Sequence, residues 1–409
     1  MTRRTLPLAL YAFPLVAGFM LPNLATPLME LWRADIGFSA GTLTLIFIMY
    51  LGGLAPAFLL APGLSDSWGR KRTQQVAVVL GIVSCLLYVL ADSIPVLLLA
   101  RILTGLCSGT LLVLGPSAVQ GMASEDESSK ATLTATLGIA IGLAGGPLFA
   151  GVVAQLAPWP TKTVFVLMAL LLAISLVVVG TEPETERKPR RDLLPHKRLG
   201  RRDNRVVIAG LGAFGPGMTA AGIVLALSPT LLNGISETSG PLGAGLIAGG
   251  MYAVSPIAQS VVRRLHSLAH IRLSLVLIAL AMCSFGIAMT QQSVWILLLS
   301  AVLIGAGQGI SNLGSFGLIH QEVHEESVPG ATALLSLGTY VAASVVPLAG
   351  GYLIDLTGLP VASLCMALGV ILMVAVGSVF ARQSYIDQTR LPKNEDWHCR
   401  GRNCWSCAG

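Results

Sequence analysis

Charge is what this 409-residue sequence has least of: Asp, Glu, Lys and Arg make up 11% of it, against 54% hydrophobic residues. A soluble domain carries roughly 25% charged residues, so a water-facing surface cannot be assembled from this composition. That excludes an ordinary soluble enzyme and a disordered chain. Cysteine is also scarce, with 7 in all and three near the C-terminus, which excludes a disulfide scaffold. The acids are poorest of all inside the apolar runs. Most of the chain therefore has lipid as its solvent.

What is present is a series of long apolar runs. About 20 residues cross a bilayer as a helix, and twelve such runs fit between Leu6 and Ala381. The first, Leu6–Met29, is too long for a secretion signal and has no small-residue cleavage site, so it reads as an anchor. Lys and Arg fix the expected orientation. With the N-terminus inside, 23 of 26 cations fall in inner loops, leaving Arg33, Lys162 and the intramembrane Arg101. Both termini are expected in the cytoplasm, in the inner membrane. The net charge of +6 then reflects basic loops against anionic lipid and needs no nucleic-acid partner.

An internal repeat sits at an offset of 200 residues. Ala131–Gly138 aligns with Ala331–Gly338, Gly105 and Gly109 with Gly305 and Gly309, and Pro147 and Gly151 with Pro347 and Gly351. The acidic turn Glu125-Asp126 falls on Glu325-Glu326. The expectation is an all-α membrane protein of twelve spans in two pseudo-symmetric six-helix bundles. Residues 1–180 form the first bundle, 181–205 a cytoplasmic linker, 206–381 the second bundle and 382–409 a cytoplasmic tail. The linker holds nine cations and three prolines and reads as a solvated tether.

Three local patterns carry mechanism. Between spans 2 and 3, Pro62-Gly-Leu-Ser-Asp66-Ser-Trp-Gly69-Arg70-Lys71-Arg72 combines a turn glycine, an acid and a run of cations. Span 4 holds Arg101-Ile-Leu-Thr-Gly105-Leu-Cys-Ser-Gly109, an arginine inside lipid ahead of two small residues four apart. Span 5 holds Gly142, Gly146, Pro147 and Gly151, which suit a bend at a close helix interface. These elements resemble, in order, the signature loop, the span-4 element and the antiporter element of the major facilitator superfamily. Pro62 stands where that family's loop has its first glycine, and Ala150 where its antiporter element has a further one. The resemblance covers nearly the whole chain and implies the twelve-span drug/proton antiporter branch: export of small amphipathic compounds in exchange for protons, by alternating access, with no cofactor and a monomeric protein.

The residues leave several roles to assign. Arg101, Glu30 and Asp355 are the transport and coupling candidates; Asn23 and Thr26 stand where similar antiporters have an acid. Asn23, Tyr252, Gln259, Gln308, Asn312 and Tyr340 are polar groups within spans and candidate cavity residues. An inner-gate latch is expected between Arg70 or Lys71 and Glu125 or Asp126. His266/His270 and His320/His324 are each four apart, and His398, Cys399, Cys404 and Cys407 in the tail have soft-metal chemistry. No metal site is assigned to them; they carry the alternative of metal or metal-chelate transport. An importer or facilitator is the other transport reading. A membrane sensor without flux is the alternative of another class, and no nucleophile–base pair supports an enzyme.

Overall fold

The computed structural model describes residues 7–184, 199–235 and 240–390, without the side chains of Glu125, 233–235 and 381–390. Twelve helices are long and apolar enough to cross a membrane. They are α1 (Leu8–Ile36), α2 (Ala40–Trp68), α3 (Arg70–Val89), α4 (Ile94–Gly121), α5 (Ser128–Leu156) and α6 (Pro160–Gly180). The second set is α7 (Arg201–Leu232), α8 (Pro241–Val262), α9 (Ser267–Gln291), α10 (Val294–Glu322), α11 (Glu325–Thr357) and α12 (Leu359–Phe380). The protein is a multi-pass membrane protein. Side chains on its flanks are apolar even where fully exposed, among them Leu90, Leu156, Val177, Val261 and Leu356, because lipid replaces water there.

The repeat in sequence is a repeat in space. Within the first bundle, the α4 glycine Gly105 lies against the α2 backbone at Tyr50; its mate Gly305 lies against α8 at Met251. Between bundles, α5 packs on α8 and α11 on α2. A Cβ at Gly151 would stand 3.0 Å from the Pro241 carbonyl oxygen, and one at Gly351 would stand 2.8 Å from that of Ala40. The partners, Pro241 and Ala40, are likewise swapped, one residue off the repeat offset of 200. Glu30 and Thr230, themselves repeat mates, hydrogen-bond to one another. Two residues related by a pseudo-two-fold can touch only on its axis, so the axis passes between them.

The helix α1 is continuous only in outline. It runs as Leu8–Tyr11, Phe13–Leu24, the 3-10 turn Thr26–Leu28 and Met29–Ile36. Pro14, Pro22 and Pro27 remove backbone donors along it. Glycines of the antiporter-like element exploit this irregular helix: a Cβ at Gly142 would come within 2.6 Å of the Val16 carbonyl, and one at Gly146 within 3.1 Å of Met20 Cα. Gly151 of the same element faces α8 instead. Span 5 is thus wedged between α1 of its own bundle and α8 of the other, which fits the bend read from its sequence.

Candidate functional site: a central cavity and its two gates

All six polar residues singled out from the spans line one cavity. Asn23 reaches it from the first bundle; Tyr252, Gln259, Gln308, Asn312 and Tyr340 reach it from the second. Its volume is about 430 Å³ and both bundles supply its wall, a size that suits a small organic molecule. Phe58 of α2 faces Tyr340 of α11 across it, ring centroids 5.9 Å apart. Gln308 donates to Met218 Sδ and Gln259 to Ser255 Oγ, each at 3.3 Å. Sequence reading missed the aromatic wall, including Tyr50 and Phe58, because an aromatic in an apolar run looks like any lipid-facing side chain.

Arg101 lies immediately behind this wall. It is fully buried, at 0% exposure, so it does not reach the membrane surface. Its Nη1 donates to the Pro22 carbonyl at 2.6 Å, an acceptor freed where the proline-rich α1 bends, and its guanidinium sits 5.5 Å from the centroid of the Phe47 ring. Nε and Nη2 have no hydrogen-bond partner, and no carboxylate pairs with Arg101 among the described residues. An arginine keeps its charge in any such setting, so a unit positive charge is held inside the span, about two turns from the start of α4, without a counter-ion among the described residues. Such a group is costly and marks function rather than stability.

The other two coupling candidates lie far from Arg101, at the end opposite the basic loops. Asp355, near the end of α11, accepts from the backbone N–H of Ala40 at 2.9 Å and of Gly41 at 2.8 Å. These are the first donors of α2, which have no partner within their own helix. Ser39 takes the next, from Thr42, at 3.2 Å. The positive end of the α2 dipole therefore holds a carboxylate from the other bundle. Glu30 pairs with Arg33 at 3.3 Å and accepts from Thr230. Both acids are cross-bundle clasps in this conformation. Together with the Gly151 and Gly351 contacts they close the cavity at this end. The cavity wall reaches Gln259, three residues from the end of α8, toward the basic loops. The structure is thus clasped at one face, and the cavity extends from there toward the other.

At the basic end, the signature loop departs from the expected latch. Gly69 adopts φ +90°, which only glycine takes without strain, and turns the chain directly from α2 into α3. Arg70 then crosses the C-terminal end of α4, donating to the Ser117 carbonyl at 3.0 Å. Its ion-pair partner is Glu182, at 3.7 Å, and not Asp126. Asp66 is half-buried and makes no ion pair among the described residues, and the Glu125 side chain lies outside them. The reason is reach: Glu182 follows α6 directly and is folded under α3, at 2% exposure, where Gln74 also donates to it at 3.3 Å. The start of the linker is therefore packed, not a solvated tether. The prolines and charges that follow Glu182 masked this in the sequence.

Burial pushes the Glu182 carboxyl above the usual carboxylate range, with Arg70 and the Gln74 hydrogen bond opposing the shift. A carboxyl raised on folding binds its proton more tightly in the native state, so its stabilising contribution is fully present below the unfolded value and is lost as pH rises through the folded one. Glu182→Gln removes that loss. Thermal melts of the purified protein between pH 5 and 8 should show the variant gaining on the wild type as pH rises. A variant that loses ground to the wild type as pH rises would reverse this assignment.

The histidine pairs do not form common sites. His270 is buried at 4% exposure, its Nε2 2.9 Å from the Val262 carbonyl oxygen, while His266 caps the start of α9. His266, His320 and His324 are exposed. His324 meets Asp203 at 3.2 Å. No group of three or more metal-ligating side chains occurs among the described residues; His398, Cys399, Cys404 and Cys407 lie outside them.

The model of the Major Facilitator Superfamily matches residues 8–291 and 218–404. The chain belongs to that superfamily. Among its relatives, the multidrug transporter MdfA of Escherichia coli O157:H7 is 31% identical over 278 residues, 63% of this chain and 65% of the relative. MdfA of Yersinia pestis (strain Angola) is 32% identical over 171 residues, 41% of each chain. The match therefore spans just under two thirds of the first relative's length. Among solved structures, the inward open xylose transporter XylE from E. coli superposes with a TM-score of 0.74 at 15% identity, covering 91% of this chain and 95% of that one. A bacterial homologue of the lysosomal transporter Spinster, inward-facing and occupied, gives 0.73 at 13% identity, covering 94% and 98%. At such identities the likeness is one of fold.

Proposed function

We propose that the protein is a secondary active transporter that exports small amphipathic compounds by alternating access, in exchange for protons. The observation that carries this is the central cavity. It lies between two repeat-related bundles, is walled by aromatics and carboxamides, and is clasped shut at one face only. Such a cavity can load from one side and, after the bundles rock against one another around the bound substrate, unload on the other. The relatives named as multidrug transporters support the substrate class. The excess of cations in the basic loops supports a cytoplasmic position for the face opposite the clasp, in the inner membrane, with both termini inside. Residues 1–180 and 206–381 are the rocking units.

Coupling is assigned to Arg101 together with the acids of the clasp. A proton on Asp355 or Glu30 weakens the acceptor that holds the closed face, so protonation from outside favours opening there. Arg70 with Glu182 holds α3, α4 and α6 together while the basic end is open. The test is flux in proteoliposomes under an imposed pH gradient, with uncharged, anionic and cationic aromatic compounds side by side. Export should follow the gradient and collapse with a proton ionophore. Flux indifferent to the gradient removes proton coupling and leaves a facilitator.

A further inference from the structure

The charge balance of the cavity has a consequence for what it can hold. Among the described residues that line it there is no Asp, Glu, Lys or Arg. The nearest fixed charge is the Arg101 guanidinium, one residue's thickness behind the wall through its bond to Pro22, which itself lines the cavity. That charge is buried, lacks a counter-ion and leaves two nitrogens without acceptors. In a low-dielectric interior its field is poorly screened, so it biases the adjoining part of the cavity toward positive potential.

Two of the four carboxamides on the wall have uncommitted side chains. Asn23 and Asn312 make no hydrogen bond to the protein among the described residues, and Tyr50, Tyr252 and Tyr340 contribute aromatic faces with hydroxyl tips. Such a wall offers stacking surface, two carboxamides that can donate or accept, and phenols that can donate. It offers nothing to neutralise a cation. A cation brought in from water would lose its hydration and meet a like charge, with only aromatic faces and carboxamide oxygens, and no carboxylate, to offset that.

We infer that the cavity selects aromatic compounds carrying no net positive charge, uncharged or anionic, and rejects lipophilic cations. The inference rests on the reading of the cavity as the substrate site and deepens it, but does not depend on the direction or coupling of transport.

Tetraphenylborate and tetraphenylphosphonium are matched in size and shape and opposite in charge. Binding of each to the full-length protein in nonionic detergent, measured by equilibrium dialysis against protein-free micelles, reads the selectivity directly. The wild type should bind the borate at least about tenfold more tightly than the phosphonium, the scale expected of one buried unit charge. Asn23→Asp places a carboxylate on the wall beside Arg101 and should bring the ratio to unity or invert it. Asn312→Asp, on the facing bundle, should shift it the same way if the first variant does not fold. Because both probes partition into micelles equally in wild type and variant, the change in ratio is free of that background. Phosphonium binding as tight as borate, failure of both to bind, or a ratio unmoved by either new acid overturns the inference. A retained ratio in a protein that shows no gradient-driven flux would instead sink the exporter reading and leave this one standing.

Discussion

Arg101→Met is expected to abolish most transport while leaving the protein as stable as the wild type or more so. Methionine fills a similar volume and is content in an apolar interior. The arginine it replaces is fully buried, has one hydrogen bond, and has no acid to repay its desolvation. Removing an ion of that kind costs one bond to a carbonyl, about 1.5–3 kcal/mol, and recovers a desolvation penalty of several kcal/mol. If the charge existed for stability, the variant would melt lower. If it exists to bias protonation and substrate charge, flux should fall on the order of tenfold or more, the equivalent of about 1.4 kcal/mol in the rate-limiting step. Melting curves and proteoliposome flux on the same preparation separate the two. Lower stability with flux retained would assign Arg101 to packing.

Asp355→Asn is the second large effect, and it is conformational. The carboxylate takes two backbone donors of α2, both on the other bundle, at 2.9 and 2.8 Å. An amide has one acceptor oxygen and no charge, so at least one of the two bonds is lost along with the interaction with the helix dipole. A bond to a charged group contributes about 1.5–3 kcal/mol, which is roughly a 10- to 150-fold shift in a two-state equilibrium. Spin labels at Thr42 and Leu356, at the ends of α2 and α11, report the gap. The wild type should show one short distance, and the variant a second, longer population. The same population should grow in the wild type as pH falls, because protonating Asp355 does to the clasp what the amide does. An unchanged distance in the variant would reduce the carboxylate to a cap.

Much of the fold is written in the sequence, because lipid simplifies the code. Apolar runs must be helices there, and the offset of 200 could be counted before any coordinates. The polar cavity residues were legible for the same reason: Asn312 or Gln308 in an apolar run has few alternatives to a cavity or a helix contact. Partners were not legible. Asp355 reads as an acid at a membrane edge until Ala40, 315 residues away, is seen beneath it. Arg101 stood out by position, yet its lack of an acid depends on what surrounds it in three dimensions. Glu182 was hidden by its neighbours, since a chain of charges and prolines looks solvated although its first acid is sealed under α3.

The central claim is that one cavity is exposed alternately at two faces. A single cysteine at Asn312, in a background with the native cysteines replaced, can be labelled with a membrane-impermeant maleimide applied to either side of oriented vesicles. In the wild type the label should enter from the side of the basic loops and be refused from the other. With Asp355→Asn added, labelling from the opposite side should rise and that from the basic side should fall. Labelling from both sides at once, or from the same side in both proteins, would contradict alternating access.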